Sequence, residues 1–240
     1  MKRLYEQILK QKQKKKKLFA VLIDPDKFNP AVVEEANAFK VDFLFVGGSK
    51  LKKNEFKKCI THIKRLTKKP LIIFPGNHEQ VSEKADALLL LSLLSGRNPD
   101  YLIGEHIKAA HQLKKSKLEI LPTGYLLIGG GKNISTQKIT NTKPIPYSDV
   151  KLAVSTAIAA ELLGMKLVYL EAGSGTKKGV SREMIRAIRN NVSLPVIVGG
   201  GIDGPEKAES AWNAGADLIV VGNAIEKDSS LIKQISNAIR

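Results

Sequence analysis

A single carboxylate, Glu171, ends an apolar run and opens a glycine-rich turn, Tyr169-Leu-Glu-Ala-Gly-Ser-Gly175. Two further strand–glycine junctions follow, Val196-Ile-Val-Gly-Gly-Gly201 and Leu218-Ile-Val-Val-Gly-Asn223. Residues without Cβ let backbone N–H groups approach an anion closely, so three such turns in succession suit a phosphate. A negative side chain beside that phosphate is unfavourable unless chemistry needs it, and a general base acting on the phosphate's owner is one such need. The alternative use of Glu171 is structural, as an acceptor of backbone N–H bonds in a tight loop.

A second acidic motif, Asp24-Pro-Asp26, follows the first apolar run. Asp24 is a candidate ligand for a divalent cation, since Mg²⁺ bridges carboxylate and phosphate oxygens with only one or two protein ligands. Asp-Pro equally shapes a turn, and spacing alone leaves both readings open. His62, His78, His106 and His111 show no metal-ligand spacing; the last two lie five residues apart and do not share a helix face. The lone Cys59 excludes an internal disulfide, fits a reducing compartment, and reads as structural.

These residues need a scaffold. Short apolar runs recur at Leu18–Ile23, Phe43–Val46, Leu71–Phe74, Ala87–Leu91, Leu118–Leu121, Leu167–Leu170, Val196–Val198 and Leu218–Val221. They are nearly continuous, as expected for parallel strands covered on both faces. With mostly helical connections they predict a (β/α)₈ TIM barrel, one domain over residues 1–240, with a doubly wound sheet as the competitor. Candidate mouth residues are then Asp24-Pro-Asp26, Gly47-Gly-Ser49, Pro75-Gly-Asn77, Ser92 to Asn98, Pro122-Thr-Gly-Tyr125 and Glu171, followed by the glycine turns. The start of the chain, with Leu4, Tyr5, Ile8 and Leu9 on one face, predicts a basic amphipathic helix capping the barrel bottom. Asp149 to Leu163 reads as a helix ended by Gly164, and Gly129 to Tyr147 as a long loop.

The formal charge of +16 favours acidic partners, with lysines dense at Lys10, Lys12, Lys14 to Lys17 and across Lys50 to Lys69. Aromatics, at 5%, do not interleave with them, and no zinc-finger or RRM signature is present, which argues against nucleic acid. The lysines read as a solvated surface, with the N-terminal run a candidate for peripheral contact with anionic membrane. No apolar segment follows Met1 as a secretory signal, and the longest apolar run, Ala87 to Leu94, is too short to span a bilayer. A soluble, cytoplasmic protein is expected.

The ordered set Leu22-Ile-Asp-Pro-Asp-Lys27, Phe45-Val-Gly-Gly-Ser49, Phe74-Pro-Gly-Asn77, Leu94-Ser-Gly-Arg-Asn-Pro99, Pro122-Thr-Gly-Tyr125, Tyr169 to Gly175, Val198-Gly-Gly-Gly-Ile202 and Val221-Gly-Asn223 resembles the geranylgeranylglyceryl phosphate synthase family. That family includes bacterial heptaprenylglyceryl phosphate synthases. The resemblance implies a TIM-barrel prenyltransferase that joins a long prenyl group, from its diphosphate, to the 3-hydroxyl of sn-glycerol 1-phosphate. Carried over by position, Asp24 and Ser49 would hold Mg²⁺. Tyr169, Leu170, Glu171, Ala172, Gly173, Ser174, Gly175, Gly200, Gly201, Gly222 and Asn223 would bind glycerol 1-phosphate, with Glu171 as the base. Many relatives carry Lys-Leu-Asp where this chain has Leu22-Ile-Asp24, a departure that looks like the second, partly bacterial subgroup and removes one phosphate-binding cation. The implied substrate needs an apolar trough, for which Leu93, Leu94, Tyr101, Tyr125 and Leu126 are candidates, and the family implies a homo-oligomer. Within the same fold, the alternative is a phosphosugar isomerase or synthase using the same loops.

Overall fold

The computed structural model describes residues 3–49, 51, 55–129 and 135–239. Eight parallel strands close into a barrel in sequence order: β1 (Leu18–Ile23), β2 (Phe43–Val46), β3 (Leu71–Ile73), β4 (Ala87–Leu93), β5 (Glu119–Leu127), β6 (Leu167–Glu171), β7 (Val196–Gly199) and β8 (Leu218–Val221). Closure is made by β8 against β1, with Leu18 opposite Leu218 and Val21 opposite Val221. The open-sheet alternative is thereby excluded. The apolar runs are continuous because each strand buries both faces. Phe43, Phe45, Ile72, Leu89, Leu121, Tyr169 and Ile197 fill the interior. Their neighbours, such as Leu44, Val46, Leu71, Val168, Leu170 and Val198, pack outward under the helices.

Those helices are α1 (Leu4–Gln13), α2 (Pro30–Ala38), α3 (Phe56–Leu66), α4 (Glu105–Lys115), α5 (Ser135–Thr140), α6 (Val150–Leu162), α7 (Arg182–Asn191), α8 (Pro205–Ala214), α9 (Asn223–Lys227) and α10 (Leu231–Asn237). The buried Leu4 and Ile8 of α1 join the interior cluster, and the Glu119 carboxylate at the start of β5 accepts the amides of Leu4 and Tyr5. The helix therefore caps the bottom, as its sequence predicts. Other carboxylates at that end hold strand starts: Asp42 accepts from Phe19 N at 2.9 Å, Asp86 from Leu71 N at 2.8 Å, and Asp217 from Val196 N at 2.9 Å. These four carboxylates are thus structural and sit opposite the mouth.

Between β3 and β4 the described chain has no helix; residues 74–86 cross as turns. The helical ring is open there. Two strands run further than the sequence suggests. β4 takes in Ser92, and β5 continues through Pro122-Thr-Gly-Tyr125, which is strand and not mouth loop. Pro122 has no amide to donate, but its carbonyl accepts from Lys166 N at 2.8 Å. At Gly124 a Cβ would come within 2.6 Å of Ala160 Cβ, so this glycine serves the close approach of α6 and makes no turn. The Gly129–Tyr147 segment is not one long loop either: α5 lies within it, and Ile128 bridges Ile145, while residues 130–134 fall outside the described residues. α6 starts as expected, with Asp149 Oδ1 accepting from Leu152 N at 3.0 Å.

Candidate active site

Glu171 is the last residue of β6 and is 8% exposed at the barrel mouth. Its Oε1 accepts from Gly173 N at 2.7 Å, so the structural use of this carboxylate is real. Burial raises its pKa to about 7, with the Gly173 amide and the Tyr169 hydroxyl acting in the other direction. A carboxylate poised there exchanges a proton readily near neutral pH.

The three glycine turns meet around it. Gly200, at φ +78°, lies so close that a Cβ would stand 2.4 Å from Glu171 Oε1, 2.8 Å from Gly173 N and 2.9 Å from Ala172 N. Only glycine accommodates that backbone angle and that contact together. Gly201, at φ +70°, packs the same way on Gly179, where a Cβ would lie 2.6 Å from its amide nitrogen. From the third turn, Asn223 Oδ1 accepts the Ser174 hydroxyl at 2.8 Å. Gly222 precedes α9, so the loops after β7 and β8 and a short extra helix occupy the place where this fold frequently holds a phosphate. Of the residues singled out in this stretch, Leu170 and Ala172 turn fully buried side chains into the protein, leaving only their backbone near the site.

Tyr169 is wholly buried inside the barrel. A Cβ on Gly199 would sit 2.3 Å from its hydroxyl and 3.0 Å from Glu171 Oε2, which places the two polar groups side by side. The hydroxyl is near enough to favour the Glu171 carboxylate electrostatically, yet it falls short of hydrogen-bond geometry and no other acceptor reaches it. Its ring stacks on Phe74, centroids 5.1 Å apart, and lies 5.4 Å from the ring of Tyr125.

Phe74 and Tyr125 also line a cavity of about 110 Å³ that leaves the mouth between β3, β4 and α4, where the helical ring is open. Leu93, Tyr101 and Tyr125 face it, as the trough expectation has it; Leu94 and Leu126 do not, and pack instead in the helix-facing layer. Sequence reading missed Phe74, His78, His106, Ala109 and Leu113 on its walls. The signal was present as the lack of any 3.6-residue periodicity between Pro75 and Asp86. His106 Nε2 bonds the Leu91 carbonyl at 2.8 Å. His78 is tied to Glu105 Oε2 by both its amide (2.7 Å) and Nδ1 (2.8 Å). Burial works against ionisation of Glu105, but hydrogen bonds from Lys108 and His78 outweigh it and bring its pKa down to about 2. Cys59 is buried in α3, and desolvation pushes its thiol up to about 12, consistent with an inert structural role.

Asp24 follows β1 and caps the short turn of helix at Pro25–Lys27, its Oδ1 accepting from Asp26 N at 3.0 Å. Lys27 stands 3.7 Å from Oδ2 and 2.9 Å from Glu226. The turn-forming use is therefore satisfied. The carboxylate also faces the turn that carries Ser49: a Cβ at Gly48 would fill the space 3.7 Å from Asp24 Oδ1. One carboxylate and one hydroxyl on neighbouring turns are a donor set of the kind that suits a cation that retains water and takes phosphate oxygens. No cluster of three or more acidic, His or Cys side chains competes for a metal among the described residues.

A PcrB family profile matches residues 7–239. The chain belongs to the PcrB family. The PcrB match runs through every motif described above. The chain is 48% identical over 241 residues to the geranylgeranylglyceryl phosphate synthase of Chitinophaga pinensis, covering 99% of this chain and 96% of that protein. It is 41% identical to the synthase of the same name from Thermococcus gammatolerans, covering 95% and 92%. Its fold superposes with TM-score 0.93 on the (S)-3-O-geranylgeranylglyceryl phosphate synthase of Thermoplasma acidophilum, solved in complex with substrate sn-glycerol-1-phosphate, at 35% identity and covering 100% and 99% of the two chains. The family resemblance and barrel expected from the sequence are both borne out. Among the described residues no helix of this PcrB-family chain is long and apolar enough to cross a membrane.

Proposed function

We propose that this chain is a geranylgeranylglyceryl phosphate synthase. It transfers a geranylgeranyl or similar long prenyl group from its diphosphate to the 3-hydroxyl of sn-glycerol 1-phosphate, releasing diphosphate and forming an ether. The observation that carries this reading is the continuity of two unlike spaces. A glycine-built corner around Glu171 suits a small phosphorylated alcohol, and the Phe74–Tyr125–Tyr169 rings join it to an apolar cavity suited to a hydrocarbon tail. A phosphosugar isomerase or synthase has no use for that tail cavity.

In this reading the turns at 173–175, 200–201 and 222–223 grip the acceptor phosphate through backbone amides. Its hydroxyl is thereby held against the donor carbon, making attack an oriented, near-unimolecular event. Glu171 takes the hydroxyl proton as the new C–O bond forms and the allylic C–O bond of the donor breaks, the bonding electrons leaving with the diphosphate. A carboxylate with a pKa of about 7 is ionised in a useful fraction at neutral pH and is strong enough as a base to assist. Asp24 and Ser49 would hold Mg²⁺, which when bound supplies charge neutralisation to the leaving diphosphate. The aromatic rings exclude water from the reacting carbon and present π faces to positive charge growing there.

A homo-oligomer is part of the proposal, supported by α6. The helix is apolar almost all round, with Leu152, Leu162 and Leu163 exposed at 39%, 83% and 68%. A nearly uncharged stripe is self-complementary under a two-fold axis even in a chain of charge +16. A cytoplasmic setting fits the lone buried thiol. The test is an assay with sn-glycerol 1-phosphate, Mg²⁺ and prenyl diphosphates of graded length. Ether product that depends on acceptor, donor and Mg²⁺ together is expected; failure with every prenyl diphosphate overturns the reading.

A further inference from the structure

We propose that the outer face of α4 and the turn before it docks on an anionic lipid surface, delivering the lipophilic donor into the cavity that the inner face of the same helix lines. The inference deepens the functional reading and rests on it for the identity of the cargo.

α4 has two unlike faces. Inward, His106, Ala109 and Leu113 line the tail cavity. Outward, Ile103 is 57% and Ile107 65% exposed, and Ala110 is exposed on the next turn. Their spacing sets them in one stripe along the helix. From residue 97 to 117 the chain carries five cations, Arg97, Lys108, Lys114, Lys115 and Lys117, against the two carboxylates of Asp100 and Glu105. Glu105 is already engaged by Lys108 and His78. An apolar stripe bordered by long basic side chains is the pattern of a helix that lies in the headgroup region, with the aliphatic stems of the lysines reaching up from the apolar layer.

Charge selects the occupant. Two copies of this face would bring their lysines together in a chain of net charge +16, whereas an anionic leaflet attracts them. The α6 stripe, whose helix carries only Lys151 and Glu161 as charged residues, is the better self-contact. The face is also continuous with the cavity: Ile139 of α5, 37% exposed, lines it, and Tyr101 Oη donates to the Ile139 carbonyl at 3.3 Å, joining α5 to the turn that carries Ile103. The N-terminal lysines are poorly placed for this task. They belong to the barrel bottom, where Lys12 donates to the carbonyls of Ser193 and Leu194.

Flotation of the full chain with phosphatidylglycerol-containing vesicles, and with pure phosphatidylcholine vesicles, tests the proposal without any donor present. Wild type is expected to float with the anionic vesicles and to be released by high salt. Ile103→Asp/Ile107→Asp should lower the bound fraction roughly tenfold, with Tm and turnover on detergent-dispersed donor unchanged. Lys114→Gln/Lys115→Gln/Lys117→Gln should weaken anionic-vesicle binding in the same direction, and it reads the face independently should the isoleucine variant fail to fold. Lys14–Lys17→Gln should bind as wild type. The proposal is overturned if wild type does not float, if both α4 variants bind normally, if binding follows Lys14–Lys17 instead, or if the isoleucine variant converts a dimer to a monomer. Flotation without turnover on any prenyl diphosphate would leave the docking face in place and remove the functional reading.

Discussion

Phe74 and Tyr169 stack across the barrel mouth with ring centroids 5.1 Å apart and planes 19° from parallel. One ring borders the tail cavity; the other carries the hydroxyl beside Glu171. Phe74→Ala removes this link, and the loss of one stacked pair predicts about a tenfold fall in kcat/KM for long donors. Acceptor affinity should be unaffected in calorimetric titration, since the glycine corner is untouched.

Glu171→Gln separates base from acceptor. The amide oxygen can still take the Gly173 N–H, so glycerol 1-phosphate binding should persist while kcat falls by about 10²–10⁴. Wild-type activity should rise with pH through about 7 as Glu171 ionises, and this limb should vanish in the variant.

The same shift makes a stability prediction of definite sign. The folded pKa, about 7, lies above the ordinary 4.5, so between those values the native state holds more protons than the unfolded chain and stability declines as pH rises. Above pH 7 the full cost of burying the charge is present. Glu171→Gln should therefore be about 1–3 kcal/mol more stable than wild type at pH 8, with the gain vanishing near pH 4. Thermal melts at the two pH values check this.

Asp24→Asn distinguishes the two uses of that residue. Asparagine caps a helical turn as well as aspartate does, so the unfolding free energy should hold within about 0.5 kcal/mol of wild type. The lost charge should raise the Mg²⁺ concentration for half-maximal turnover at least about tenfold. An unchanged Mg²⁺ dependence would leave Asp24 as a turn former.

Ala109 of α4 lines the cavity together with Leu88 and Leu113. Ala109→Phe should shorten the space and shift donor preference toward shorter prenyl chains, read as the ratio of kcat/KM for long and short diphosphates. The shift should reach about 10-fold, the penalty of one or two displaced methylenes.

The barrel was legible because both faces of each strand are buried, which writes near-continuous apolar runs such as Leu18–Ile23 and Leu218–Val221 directly into the chain. The glycine corner was legible for a similar reason: Gly200 is required by contact and by backbone angle, and that requirement leaves an unmistakable cluster. Pro122-Thr-Gly misled because a glycine needed for helix packing against Ala160 is spelled the same way as a glycine needed for a turn. The cavity walls were hidden because Ala109 and Leu113 sit i, i+4 on α4 and read as any core-facing helix stripe. Only the missing helix between β3 and β4 turns part of that stripe into the lining of a hollow.

The bottom of the barrel is plugged by α1, pinned to Glu119. This makes the scaffold a cup without a drain: hydrocarbon cannot thread through it and must lie in a side channel. On the proposed function, phosphate handling and tail measurement would then be written on different parts of the chain, the first on the turns after β6 to β8 and the second on α4 and its neighbours. Descendants of such a protein can exchange one lipid length for another by editing a wall, leaving the proton-transfer corner intact.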